Sequence, residues 1–311
     1  MDAERVSMKG KQAAEEAQVA ALEQAAVLQA NPTPRARAWR RLRRSRSGMV
    51  GLWMVSFLVI MAVLAPLISP YDPATDRDLR SRLQPPSLQH PMGTDELGRD
   101  ILNRIWHGTS ISLRVGILAV SVGLVIGALL GLLAGYVGRW VDTCIGWVSD
   151  ILLAFPSMLL AIAVVAAMGP GIFNTILAVG VVQIPKFARI TRSVVLSLRE
   201  QEYVAASWAI GAGHLRTLFY HILPNGMTPI IIQATLSIGV AILDAAALGF
   251  LGLGAQPPAP EWGLMIARGF AYFAVAPWIS LFPGLAIVFA VVAFSLLGDG
   301  LRDALDPRAQ H

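Results

Sequence analysis

Three lysines occur in 311 residues, Lys9, Lys11 and Lys186, and none closes a glycine-rich phosphate loop. Nucleotide hydrolysis by that device is therefore excluded. The five histidines, His90, His107, His214, His221 and His311, show no HExxH or comparable ligand spacing, and no GxSxG nucleophile turn is present. No catalytic, cofactor or metal site is expected. One cysteine, Cys144, rules out an intrachain disulfide and reads as a small apolar filler in or near a membrane segment. Charged residues make up only 14% of the chain, against about a quarter in ordinary soluble domains.

What is abundant is apolar sequence. Hydrophobic residues reach 55% and the mean hydropathy is +0.59, values that point to an all-α integral membrane protein. Met49 to Ile68 carries no charge and is long enough for about 30 Å of hydrocarbon at about 1.5 Å per residue. Further spans are expected over Ile111–Val137, Ile145–Met168, Ile172–Ile190, Met227–Phe250 and Ala271–Gly298, six in all. Six crossings put both termini on one side.

Seven arginines, Arg35, Arg37, Arg40, Arg41, Arg43, Arg44 and Arg46, precede the first span. Such a run could bind nucleic acid, but at the foot of a span the positive-inside rule explains it, with anionic lipid heads as neighbours. It assigns the termini to the cytoplasm. Loop 191–226, with Arg192, Arg199 and Arg216, is then cytoplasmic, and loops 69–110 and 251–270 face outward. The expected layout is a cytoplasmic extension with its Arg-rich flank (1–47), a first span and outer loop (48–110), a five-helix core (111–299) and a cytoplasmic tail (300–311). Lys11 to Ala30 has helical composition and is stopped at Asn31-Pro-Thr-Pro34. The first 34 residues lack the apolar core of a secretory signal.

Gly123, Gly127, Gly131 and Gly135 leave one face of the second span bare. Another helix can approach along it, from this chain or from a second subunit; packing within the subunit is favoured. Asp150 and Asp244 are the acids within spans and have no basic partner nearby in sequence, which makes a thin proton relay. Asp244 reads as a helix–helix hydrogen bond or a water-cavity lining, with substrate contact along a pathway as the alternative.

Loop 191–226 is the most informative segment. Glu200 to Ile210 should form a short helix carrying Glu202, Tyr203 and a smooth Ala205–Ala206 patch. Gly211, Ala212 and Gly213 permit a sharp turn. His214 to Ile222 should form a second short helix, with Leu223 and Pro224 ending it. A long structured loop between spans, in a chain with no energy source of its own, suits contact with a partner.

These residues resemble the cytoplasmic EAA-Gly-I-x-L-P signature of the inner-membrane permeases of ATP-binding-cassette importers. Ala206, Gly211, Leu223 and Pro224 fall on its spacing. Ala205 stands where the signature has glutamate, with the acid displaced to Glu202, and Ile222 lies one residue late. Gly93-Thr-Asp95-Glu-Leu-Gly-Arg99-Asp100 and the segment from Ala247 to Gly263, with Gln256, Glu261 and Trp262, are similar to outer-loop motifs of peptide-transporter permeases. Gly298-Asp-Gly-Leu-Arg302-Asp303-Ala-Leu-Asp306-Pro307 completes a match to the second permease subunit of dipeptide, oligopeptide, glutathione or nickel importers.

The resemblance implies a type I importer fold and a bacterial inner-membrane location. It implies a heterodimer with a related permease, two cytoplasmic ATPase subunits and an external binding protein. It makes Glu202–Gly213 a coupling helix, and the outer motifs either fold supports or contacts for the binding protein. An ion-driven secondary transporter and a receptor or scaffold without a pathway are the competing classes.

Overall fold

The computed structural model describes residues 34–68 and 77–305. The expected helix from Lys11 to Ala30, most of the extension and residues 306–311 of the tail lie outside the described residues. Among the described residues the regular structure is helical, joined by turns and loops, with one isolated antiparallel bridge between Thr94 and Asp100. In chain order the helices are α1 (Pro34–Arg44), α2 (Arg46–Ile68), α3 (Ile101–Val137), α4 (Arg139–Ala154), α5 (Ser157–Met168), α6 (Ile172–Arg199), α7 (Glu202–Ala209), α8 (His214–Phe250), α9 (Trp262–Phe270) and α10 (Trp278–Leu305).

By length and composition α2, α3, α8 and α10 can each cross a membrane, and α4 with α5 makes a fifth if the pair is one broken span. The other expected crossing falls on α6. That helix has 28 residues, but Asn174, Gln183, Lys186 and Arg189 interrupt its apolar run. The third span, expected as one helix, is bent by 96° between α4 and α5. The cause is local: Pro156 disfavours the helical region for the residue before it, and Phe155 is extended at φ −85° and ψ 140°.

Three expected boundaries, 47/48, 110/111 and 299/300, fall inside helices α2, α3 and α10. Hydropathy marks where apolar residues begin, not where the backbone starts to coil. α3 starts at Ile101, ten residues before the apolar run at Ile111, because the Asp100 side chain caps it by accepting from the Asn103 N–H at 2.9 Å. It has 37 residues, about 55 Å of helix. α6 likewise continues through Arg199, so loop 191–226 begins as helix. At the other edge, His214–Ile222 is not a separate helix ended by Pro224. Residues Thr217–Ile222 form a π-helical turn that runs directly into Leu223–Phe250. Pro224 sits in the first turn of that segment, where its missing N–H is tolerated.

The glycine stripe of α3 packs against α6. A Cβ at Gly123 would lie 2.5 Å from the Gln183 Cβ, at Gly127 2.7 Å from the Phe187 Cβ, and at Gly135 2.8 Å from the Val195 Cβ. At Gly131 it would come within 2.7 Å of the Thr191 Cβ. A second close approach joins α2 to α10, where a Cβ on Gly48 would lie 2.9 Å from the Gly300 Cα. Around these contacts lie three apolar cores. One joins α2, α3, α8, α9 and α10 around Trp262 and Ile101. Another joins α3, α5, α6 and α8 around Phe187 and Leu248. The smallest, with Leu132, Val195, Val204, Leu218 and Ile222, sits beneath α7.

Candidate coupling surface and the opposite end of the bundle

α7 presents two faces. Val204 and Ser207 are buried, and Val204 packs into the small core with Leu132, Val195, Leu218 and Ile222. Glu202, Tyr203, Ala205 and Ala206 are exposed on the other face. Beside them Trp208, Ile210, Leu215 and Tyr220 are large apolar or aromatic side chains open to the surroundings. Among the described residues this is the end of the bundle where α3, α6 and α8 converge outside the apolar spans.

The end of α7 is shaped by glycine. Gly211 has φ +84°, its N–H donates to the Trp208 carbonyl at 2.9 Å, and the Ala212 N–H donates to the Ser207 carbonyl at 3.0 Å. This pair of bonds is a Schellman cap, which favours glycine at the left-handed position. Gly213 follows with ordinary negative φ and starts α8.

Val204 seats α7 on α3, α6 and α8, and two contacts tie those helix ends to one another. The Tyr136 hydroxyl near the end of α3 lies 2.8 Å from the His214 Nδ1, and Arg199 donates to the Gly135 carbonyl at 3.0 Å. The Tyr203 hydroxyl donates to the His221 carbonyl at 3.5 Å. Leu223 is half-buried and Pro224 exposed. A push on α7 therefore meets α3, α6 and α8 together.

The outer motifs gather at the other end of α3. Asp95 is buried and accepts from the Leu97 N–H at 2.8 Å, the Arg99 N–H at 3.0 Å and the Arg99 Nε at 2.7 Å. The Arg104 Nε approaches the same carboxylate at 3.5 Å. Glu96 bridges Arg99 and Arg268, each at 3.4 Å, and so ties this loop to α9. Asp100, besides capping α3, lies 2.9 Å from the His90 Nδ1. Glu261 caps α9 through the Gly263 and Leu264 N–H groups, both at 2.8 Å. Burial pushes its carboxyl above the usual range, against the pull of those two N–H groups. The fully buried Trp262 donates to the Ile105 carbonyl at 3.2 Å. Gln256 donates to the Gly252 and Gly254 carbonyls, each at 3.1 Å. Of the outer-motif residues, Asp95, Arg99, Glu261 and Trp262 are thus spent on internal structure, and only Asp100 and Gln256 remain partly open.

Sequence order hides several pairings. Asp150, isolated in sequence, lies 2.8 Å from Arg189 of α6. Arg192 pairs with Asp142 of α4, its Nη2 at 2.6 Å. Asp244, half-buried on α8, is within electrostatic reach of Lys186 on α6. Each partner sits tens of residues away on another helix, and only the fold brings them together.

Residues 127–311 match the family described as binding-protein-dependent transport system inner membrane component. The chain belongs to that family. Residues 33–86 of this permease also match the N-terminal TM domain of oligopeptide transport permease C. Among curated relatives, the permease is 49% identical over 276 residues to the dipeptide transport system permease protein DppC of Alkalihalophilus pseudofirmus, covering 89% of this chain and 90% of the relative. It is 46% identical over 287 residues to the di/tripeptide transport system permease protein DppC of Pseudomonas aeruginosa, covering 90% and 94%. It is 48% identical over 276 residues to the glutathione transport system permease protein GsiD of Escherichia coli, covering 89% and 91%. A solved structure of the MetNI methionine ABC transporter in inward-facing conformations aligns with a TM-score of 0.53 at 18% identity, over 66% of this chain and 95% of that one. That likeness speaks for the fold alone.

Proposed function

We propose that this chain is a permease subunit of an ATP-driven importer that carries di- or oligopeptides, glutathione included, across the bacterial inner membrane by alternating access. It breaks no covalent bond. Energy enters through two cytoplasmic ATPase subunits, one of which seats α7 in a groove, and cargo arrives from an external binding protein at the Asp95–Glu261 end. A related permease completes the pathway as a heterodimer. In this reading the chain crosses the membrane six times, with α4–α5 as one broken span and α6 as another, and both termini are cytoplasmic.

The observation that carries the reading is α7 itself. It is anchored to three spans yet exposes Tyr203, Ala205, Ala206 and Trp208. A rigid element bearing an open apolar face passes a partner's motion inward, and nucleotide binding supplies the differential free energy between the two states. The peptide cargo is supported by the names of the relatives, two dipeptide or di/tripeptide permeases and a glutathione permease. Those names do not favour nickel. An ion-driven carrier would need no docking face, and a scaffold would need no pathway.

The test is uptake. The chain is co-reconstituted in liposomes with the partner permease, ATPases and binding protein of its transport system. ATP-dependent accumulation of a labelled dipeptide is the expected result. Uptake by this chain alone under a proton gradient, or binding without any uptake, would overturn the proposal.

A further inference from the structure

Between α4 and α6 lies a cleft of about 340 Å³, lined by Asp142, Gly146, Ser149, Asp150, Arg189 and Arg192 among others. Its size is at the lower end of the roughly 300–1,000 Å³ typical of small-ligand pockets. Its walls carry the two ion pairs, Asp150–Arg189 and Asp142–Arg192. Unlike the buried Asp95–Arg99 pair, the Asp150 and Arg189 side chains are 66% and 62% exposed.

Their depth gives the exposure meaning. Arg189 lies about 15 Å along α6 from its Arg199 end at about 1.5 Å per residue. α6 is about 42 Å long and the hydrocarbon layer about 30 Å thick. Arg189 is the last residue but one of the expected span 172–190 and Asp150 lies in the first turns of 145–168, so the pair sits at the cytoplasmic rim of the bilayer, where charges this exposed are not set against acyl chains. The face must meet water or protein. Along the same helix the charges form a short ladder: Arg189 with Asp150, then Arg192 with Asp142. Cations on α6 thus meet acids of α4 in two successive pairs, running toward the α7 end.

We propose that this cleft lines the aqueous passage and receives the two charged ends of a peptide cargo. The Asp150–Arg189 pair opens, its carboxylate takes the cargo's ammonium and its guanidinium takes the cargo's carboxylate. The exchange is close to neutral in charge, since one solvated ion pair becomes two. A guanidinium fits a carboxylate by two parallel N–H bonds, which a point charge cannot reproduce. The ladder then offers the same chemistry at successive depths, so no single site holds the cargo too tightly to leave. This assignment rests on the peptide-importer reading and names the residues that would serve it.

The experiment uses the complete reconstituted complex with the ATPase side outward and no ATP. The exposed Cys144 is replaced by serine, and Gly146→Cys places one thiol in the cleft. A Cβ at Gly146 meets no atom within 4 Å, so the change is tolerated sterically. A membrane-impermeant, charged thiol reagent is applied from the ATPase side. Alanyl-phenylalanine with free termini, at millimolar concentration, is compared with its N-acetyl amide. Labelling is expected, slowed about threefold or more by the free dipeptide and not by the blocked one. Arg189→Ala in the same background should remove the protection while leaving the labelling. Three results would overturn the assignment: no labelling, which places lipid or the partner permease over the face; labelling that neither peptide slows; or equal protection by both. Dipeptide uptake by the unmodified complex is measured separately, so failure of the importer reading appears there and not in the labelling.

Discussion

Gly211 offers a clean test of the coupling surface because its backbone and its surroundings make separate demands. With φ +84°, a side chain there is strained, yet a Cβ would meet no heavy atom within 4 Å. Any defect therefore comes from conformation and not from a clash. Alanine in the left-handed region costs about 1–2 kcal/mol, a β-branched residue falls at the upper end of about 1–3 kcal/mol, and asparagine tolerates the region better. Opposing the strain are the two capping bonds, from the Gly211 and Ala212 N–H groups, worth about 0.5–1.5 kcal/mol each. Gly211→Asn should keep the cap, Gly211→Ala should sit near balance, and Gly211→Val should open it. At about 1.4 kcal/mol per tenfold change, the valine variant should lose about tenfold or more of its docked α7, alanine a fewfold, and asparagine less than about twofold. The assay is dipeptide uptake per ATP hydrolysed by the reconstituted complex, at equal amounts of purified protein. Coupling should fall in the order Gly, Asn, Ala, Val. Valine behaving as wild type, or asparagine as badly as valine, would refute the argument.

Three further outcomes follow from the packing and the buried charges. Gly127→Leu drives its side chain into α6, since even a Cβ would lie 2.4 Å from the Ile184 carbonyl oxygen; a loss of about 1–3 kcal/mol should appear as a lower melting temperature in detergent, whereas Gly146→Leu, in open space, should leave it unchanged. Asp95→Asn keeps the size of the side chain but removes the carboxylate facing Arg99 and Arg104; breaking a buried pair typically costs about 3–5 kcal/mol, and folded yield should drop more than in Asp150→Asn, whose pair is exposed. Because the folded carboxyl of Glu261 sits above its unfolded value, the folded state holds this proton more tightly. Its contribution is fully present below the unfolded value and declines as pH rises through the folded one; thermal stability measured across that window should fall with pH in wild type and fall less in Glu261→Gln.

Membrane character, helical class and the short helix with its glycine turn over 202–211 were legible because each leaves a local mark: apolar runs, scarce charge and a glycine where the chain must turn. The α3 stripe was legible for the same reason, since a four-residue glycine period describes one helix face wherever its partner comes from. Helix ends were not. Ile101 to Ser110 contains Arg104 and His107, which lower hydropathy, yet the backbone coils there because Asp100 caps it and Asp95 neutralises Arg104. Pro224 reads as a stop in isolation, but a π-turn before it leaves its ring at a position where no N–H is needed. Pro156, by contrast, broke a span that looked continuous. The ion pairs of α4 with α6 could not be found from one sequence, because Asp150 and Arg189 are 39 positions apart and no periodicity links them. The outer motifs singled out residues without showing what they touch: Trp262 holds the loop to α3 and Glu261 caps α9.

The central claim is that α7 is driven by a nucleotide-hydrolysing neighbour. Ala206→Cys in a Cys144→Ser background places one thiol on its exposed face, to be paired with single cysteines lining the groove of the ATPase subunit in the assembled complex. Oxidation should give a disulfide-linked permease–ATPase species in high yield, and ATP with a vanadate trap should change its rate of formation. A complex that transports dipeptide while no residue of 202–213 ever crosslinks to the ATPase would contradict the account.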